Sequence, residues 1–293
     1  MMKKEIMLKD SSQNQKIQKK IRNKEDLLNV TIYPLQNAET VILLHGGPGV
    51  PNAMEEVANL LSEKYQTIYF EQRGTGNSLC PGSSYKIEDY ISDIEMIAKN
   101  FQIEDFHLFG HSWGGLYAQI YADKHPSKVK SLFLCSPSSG TNSTWKETEQ
   151  EVFKFNKQIA SNGEWLKMGW YSLLGKFGNN KAYRKLFKLV YKNYHKGIFE
   201  FQINEDELNK IFANPINKTR KEIIKYNPLP IINNPLFPIC ITYGEKDVYG
   251  NSKNNLLERY PTGRVYKIEK CGHIPWLHNP VEFEKILLNF YEL

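Results

Sequence analysis

Short apolar runs alternate with amphipathic segments along this chain, and that alternation limits what it can fold into more than any other feature. Six runs read as strands: Val41–His45, Thr67–Phe70, Phe106–Gly110, Ser131–Cys135, Ile239–Tyr243 and Val265–Glu269. They are rich in branched and aromatic residues and apolar on both faces, the pattern of parallel strands covered above and below. Helical signals lie between them. Ile87, Tyr90, Ile91, Ile94, Ile97 and Phe101 recur at i, i+3, i+4 spacing. Leu116, Ile120 and Tyr121 share a face before Pro126, and Val281–Tyr291 reads as a closing helix. Asn52 with Glu55 resembles a capping box that opens a helix to about Tyr65. The whole pattern predicts βαβ units around a mostly parallel sheet. An earlier pair of runs, Gln15–Ile21 and Leu28–Tyr33, predicts an antiparallel hairpin at the sheet edge.

From about Ser138 to Pro235 the alternation stops and the pattern is helical throughout. Tyr183, Leu186, Phe187, Val190, Tyr191 and Tyr194 form one apolar stripe, and Thr219 with Glu222 resembles a second capping box. The expectation is a core built from residues 1–137 and 236–293, with a helical cap, 138–235, inserted after the sixth strand. Insertions at the carboxyl ends of strands sit where open α/β sheets bind ligands.

The strongest chemical signal is Gly110-His111-Ser112-Trp113-Gly114, preceded by the run FHLFG and followed by the helical segment GGLYAQIYADKH. A serine on a sharp strand-to-helix turn needs neighbours without a Cβ, and the helix N-terminus favours negative charge developing there. This makes Ser112 the candidate nucleophile. A glycine turn, His45-Gly46-Gly47-Pro48-Gly49, ends another apolar run. Bare amides there can help form an oxyanion hole, which needs two donors. The amides of Gly47 and Trp113 are the expected pair, with Gly46 the alternative to Gly47.

A serine nucleophile needs a base, and chain order in this architecture runs serine, acid, histidine. His273, in the loop KCGHIPWLHNP, fits; His278 is its rival. The acid should follow the run ICITY, where YGEKDVYG offers Asp247 and Glu245. Asp247, further out on the loop, is preferred. The set predicts the α/β-hydrolase fold and a serine hydrolase that works through an acyl-enzyme.

Composition narrows the rest. Hydrophobic residues make up 41% of 293, enough for a substantial core. The net charge of +6 is mild and the lysines are spread, which predicts a solvated surface with no nucleic-acid partner and no stable membrane association. The basic face of Lys181–Lys196 reads as the solvated side of a cap helix, with a membrane-surface helix as the alternative. Trp145, Trp165, Trp170 and Tyr171 are candidates for a substrate pocket or for cap core. The four cysteines form no zinc or redox pattern, and Cys271 reads as a small buried residue. No metal is expected. The opening residues lack an apolar signal region, which predicts a cytoplasmic protein. The oligomeric state has no signature in the sequence.

With these residues placed, the chain resembles the proline iminopeptidase group of α/β-hydrolases. The resemblance rests on HGGPG at 45–49, EQRGTGNS at 71–78, the run from Asp93 to Gly115 containing GHSWGG, and the GEKD and CGHIP loops. Glu71 stands where the group carries aspartate. The resemblance implies a helical cap over the site, removal of an N-terminal residue, often proline, from a small peptide, and no metal or organic cofactor. It also implies cap glutamates that hold the substrate's free amine. No matching tryptophan-glutamate segment occurs in 138–235, so Glu164, Glu200 and Glu205 are the candidates; Glu200, between Phe199 and Phe201, is preferred. Related chains with this glycine turn hydrolyse small esters, amides or lactones, and a hydrolase-fold ligand-binding receptor is the alternative from another class.

Overall fold

Each apolar run becomes a strand in the computed structural model, whose described residues are 15–50, 54–198 and 204–291. The strands are β1 (Ile17–Asn23), β2 (Asp26–Tyr33), β3 (Thr40–Leu44), β4 (Gln66–Glu71), β5 (Phe106–His111), β6 (Val129–Cys135), β7 (Ile239–Gly244) and β8 (Arg264–Ile268). They form one sheet in the order β1-β2-β4-β3-β5-β6-β7-β8. β2 is antiparallel to β1 and β4, while the other neighbours are parallel. The expected edge hairpin is therefore present.

Alternate residues of the central strands feed two cores. Ile42 and Leu44 of β3, Leu108 of β5, and Leu132 and Leu134 of β6 pack on one face. Val41, Leu43, Phe109, Phe133 and Cys135 pack on the other. The first face is covered by α2 (Ile87–Asn100), α3 (Trp113–Lys124) and α9 (Lys253–Arg259). The second is covered by α1 (Glu55–Leu61), α10 (Pro275–His278) and α11 (Pro280–Phe290). Burial on both sides explains why these strands read as continuous apolar runs. β8 departs from this. It is the edge strand, and Val265 is exposed because no further strand or helix covers its outer side.

Among the described residues, five helices fill the stretch between β6 and β7: α4 (Asn142–Ile159), α5 (Asn162–Lys176), α6 (Asn180–His195), α7 (Glu205–Asn209) and α8 (Ala213–Lys225). One expected cap is not the start of a helix as read. Thr219 lies inside α8, buried, with its hydroxyl bonded to the Tyr90 hydroxyl at 2.7 Å. The helix begins earlier because Pro215 is accommodated in its first turn, where its missing N–H costs nothing. Asn52 lies outside the described residues, and α1 ends at Leu61 rather than near Tyr65.

The topology gathers the chemistry. The loops after β3, β5, β7 and β8 all leave the carboxyl ends of parallel strands, and they carry the glycine turn, Ser112, Asp247 and His273 respectively. Ser112 and His273, 161 residues apart in sequence, can therefore meet at one edge of the sheet.

Candidate active site

Ser112 joins β5 to α3 in a conformation that few non-glycine residues adopt, with φ 54° and ψ −119°. Its neighbours permit this. A Cβ on Gly110 would lie 2.4 Å from the Gly114 carbonyl oxygen, and one on Gly114 would lie 2.1 Å from the Leu44 carbonyl oxygen. The turn is held by the Ser112 N–H donating to the Cys135 carbonyl at 3.1 Å, and by the Ser138 N–H donating to the Ser112 carbonyl at 2.9 Å.

The Ser112 Oγ lies 3.0 Å from His273 Nε2. His273 Nδ1 lies 3.0 Å from Asp247 Oδ1. All three side chains are buried. Burial alone would raise the Asp247 carboxyl, but the adjacent His273 and the Tyr249 N–H, which donates to Oδ1 at 3.2 Å, hold it below its ordinary value. An ionised Asp247 can only accept, so His273 Nδ1 carries the proton and Nε2 is free to accept from Ser112.

Glu245 is elsewhere. It is exposed, accepts the Lys270 N–H at 3.1 Å and faces Lys267, which together hold its carboxyl low. His278 does not reach the serine. Its Nδ1 accepts the Gly272 N–H at 3.0 Å, and its Nε2 meets His195 Nδ1 at 2.8 Å. Burial lowers both rings to about 4, so the pair is neutral and braces the loop that carries His273.

One contact has no counterpart in the sequence reading. The Tyr249 hydroxyl lies 3.0 Å from Ser112 Oγ and 2.8 Å from Ser138 Oγ, and its ring stands edge-on to His273 at 5.0 Å. Burial pushes this phenol up to about 12, so it is a neutral donor. With the Ser112 proton directed at His273, Tyr249 donates to Ser112 and accepts from Ser138. Tyr249 sits two positions after Asp247, on the same loop, but no local pattern in the sequence marks its contact with Ser112.

The glycine turn abuts Ser112. A Cβ on Gly46 would lie 3.3 Å from the Ser112 Cβ, and the next N–H along the chain belongs to Gly47, whose φ is +126°. Trp113 is the first residue of α3, so its N–H has no intrahelical partner. Gln72 ties these parts together. It accepts from Trp113 Nε1 at 2.8 Å, donates from Nε2 to the His45 carbonyl at 2.8 Å, and donates its N–H to His45 Nε2 at 3.0 Å. His45, lowered to about 4 by burial, is neutral and points Nδ1–H at the Gly46 carbonyl, 2.6 Å away. His111, lowered to about 3 by burial, lies with Nε2 2.8 Å from the His273 carbonyl.

Arg73 in the neighbouring loop is buried between Asp93 and Asp26, at 2.6 and 2.9 Å, so it leaves Glu71 to Asn29 and the Asn77 N–H. Cys271 is buried, and its thiol is pushed up to about 12, which makes it a poor nucleophile.

The helices between β6 and β7 reach the site. The Tyr194 ring of α6 stands 5.2 Å from the His273 ring, and Ile198 Cδ1 would lie 3.0 Å from a Cβ on Gly272. Trp145 packs edge-on against Trp113. Two candidate amine partners are placed elsewhere. Glu164 caps α5 and pairs with Lys192, which with Ser161 lowers it to about 2. Glu205 is exposed and pairs with Lys188. Both are drawn outward by lysines of α6, contacts that their own sequence surroundings do not announce. Glu200 lies outside the described residues.

Known proteins align with this picture. A proline iminopeptidase from Lactobacillus delbrueckii subsp. bulgaricus is 25% identical over 268 residues, covering 84% of this chain and 88% of the relative. One from Clostridioides difficile (strain 630) is 31% identical over 121 residues, 40% of this chain and 41% of the relative. Among solved structures, the proline iminopeptidase of Mycobacterium smegmatis has a TM-score of 0.64 at 18% identity, over 94% of this chain and 98% of that one. The enol-lactonase from Burkholderia xenovorans LB400 has a TM-score of 0.63 at 15% identity, over 92% and 98%. At those identities the two structures share the fold. The family model described as alpha/beta hydrolase fold matches residues 39–280, and the chain belongs to the α/β-hydrolase family.

Proposed function

We propose that this protein is a serine hydrolase that forms an acyl-enzyme on Ser112. The observation that carries the reading is the hydrogen-bonded line from Ser112 through His273 to Asp247, set at the N-terminus of α3. His273 Nε2 takes the Ser112 proton as Oγ attacks the substrate carbonyl. The oxyanion that forms accepts the N–H groups of Trp113 and Gly47. The intermediate collapses, the carbon–leaving-group bond breaks, and His273 returns the proton to the leaving group. Water, deprotonated by His273, then attacks the acyl carbon and releases Ser112.

The substrate we infer is the N-terminal residue of a small peptide. The relative that aligns along 84% of the chain is named a proline iminopeptidase, which supports this choice. An aminopeptidase must meet a protonated amine with a carboxylate, because an unpaired ammonium is costly to bury. We assign that role to Glu200. Glu164 and Glu205 are engaged by surface lysines, and Glu200 stands between Phe199 and Phe201 in the sequence, the most apolar surroundings of the three.

The test compares proline p-nitroanilide with its N-acetylated form. A peptidase rejects the blocked substrate strongly, and Glu200→Gln erases much of that preference. Equal rates on both substrates would overturn the peptidase reading and leave an esterase or amidase.

A further inference from the structure

The chain's net charge of +6 is carried by one pair of helices. The span Asn162–His195, from the start of α5 to the end of α6, holds six lysines, Arg184 and a single carboxylate, Glu164. That leaves 31 of the 38 basic and 31 of the 32 acidic residues for the rest of the chain, a balance of zero.

The first of the two, α5, turns an apolar row outward. Leu166, Trp170, Leu173 and Phe177 follow i, i+4, i+7, i+11 spacing along α5 and its C-cap, and are 74%, 58%, 47% and 83% exposed. Met168 and Gly175 hold the opposite side of the helix and are buried. At about 100° per residue, Lys167 falls on one flank of the row and Lys176 on the other, both exposed. The apolar stripe of α6 is not part of this surface, since Tyr183 is buried and Leu186, Phe187 and Tyr191 pack into the cluster with Ile211 and Ala213.

A row of leucine and aromatic side chains flanked by lysines matches the boundary of an anionic bilayer. The apolar tips enter the headgroup and acyl region, and the lysine stems lie along the row with their ammonium groups at lipid phosphates. α5 has 15 residues, about 22 Å, a length that lies flat on a surface. No helix among the described residues is long and apolar enough to cross a membrane. A second copy is a poor occupant, because it would bring the same +6 pair of helices against this one.

We propose that α5 docks the protein reversibly on an anionic lipid surface, through the Leu166–Trp170–Leu173–Phe177 row and the flanking Lys167 and Lys176. The sequence favours a solvated side for the basic face of Lys181–Lys196 in α6; the outward aim of the α5 row is a product of the fold.

The test is co-sedimentation of the full chain with phosphatidylcholine vesicles and with equal mixtures of phosphatidylcholine and phosphatidylglycerol. Binding to the mixed vesicles should be at least about 10-fold tighter and should weaken with salt. Trp170→Ser combined with Phe177→Ser should lose about 10-fold or more. Lys167→Gln combined with Lys176→Gln should lose about 5-fold per cation and leaves the apolar row intact, so the two variants check each other, with thermal melts as the control for folding. Equal binding to both vesicle types would overturn the proposal, as would undiminished binding by both variants. So would a concentration-dependent dimer that the Trp170/Phe177 variant dissolves.

Discussion

Replacing Asp247 with Asn removes one charge from the buried line and little else. The carboxylate oxygen lies 3.0 Å from His273 Nδ1, which puts the charge centres about 4 Å apart. At an effective dielectric of about 20, that pair contributes about 4 kcal/mol to the imidazolium formed during attack, or about 10³ in kcat/KM. A wrong imidazole tautomer would bring the loss to about 10⁴. The Tyr249 N–H limits that second effect. It donates to Oδ1 at 3.2 Å, so it favours the amide oxygen of Asn at that position, where His273 keeps its Nδ1 proton. The expected loss is therefore near 10³, toward the lower end. Glu245→Gln should change kcat/KM by less than about 2-fold, since Glu245 is exposed and serves only Lys270 and Lys267. The assay is kcat/KM on proline p-nitroanilide and on p-nitrophenyl acetate, with far-UV circular dichroism to show that both variants fold. A larger loss for Glu245→Gln than for Asp247→Asn would refute the assignment of the acid. A loss under about 10-fold for Asp247→Asn would refute the electrostatic argument.

Two further outcomes follow from the same contacts. Tyr249→Phe removes one hydroxyl from Ser112, so kcat/KM should fall by about 2- to 10-fold, the range of one net hydrogen bond. A loss beyond about 100-fold would instead make Tyr249 a proton donor in the reaction. Stability should fall on acidification, because His45 and His111 are buried and neutral at about 4 and about 3 against an unfolded value of about 6.5. Between those values the unfolded chain binds protons that the folded chain does not, so stability rises with pH and is lost as pH drops from about 6.5 toward 4. From pH 7 to 5 the two together should cost on the order of 3 kcal/mol, read by urea unfolding; a flat profile over that range would contradict neutral burial.

Most of the sheet was legible because burial on both faces leaves unbroken apolar runs, as in Val41–Leu44 and Leu132–Cys135. β8 shared that composition while lying at the edge, since an apolar run does not say whether a neighbour will cover it. The elbow was legible for a steric reason: Gly110 and Gly114 have no room for a Cβ, so the requirement is written in the residues themselves. His273 could be singled out by chain order. Choosing between Glu245 and Asp247 was harder, because two carboxylates two positions apart differ only in which way the loop turns them. Tyr249 and Ser138 were silent, since the Tyr249 hydroxyl meets Ser112 and Ser138 only after β6 and β7 bring their following loops together. The carboxylates between β6 and β7 were least legible. Glu164 and Glu205 answer to lysines on another helix, and helix pairing there is set by packing that no local pattern encodes.

The account stands on Ser112 as the nucleophile. A fluorophosphonate reacts with an activated serine and with little else in a chain whose thiols at Cys135, Cys240 and Cys271 are buried. The measurement is mass spectrometry of the labelled chain, alongside turnover by Ser112→Ala. The prediction is a single adduct on the peptide holding Ser112, absent in Ser112→Ala, with turnover reduced to the residual that binding and the oxyanion donors supply. An adduct on any other residue, or full turnover by Ser112→Ala, would contradict it.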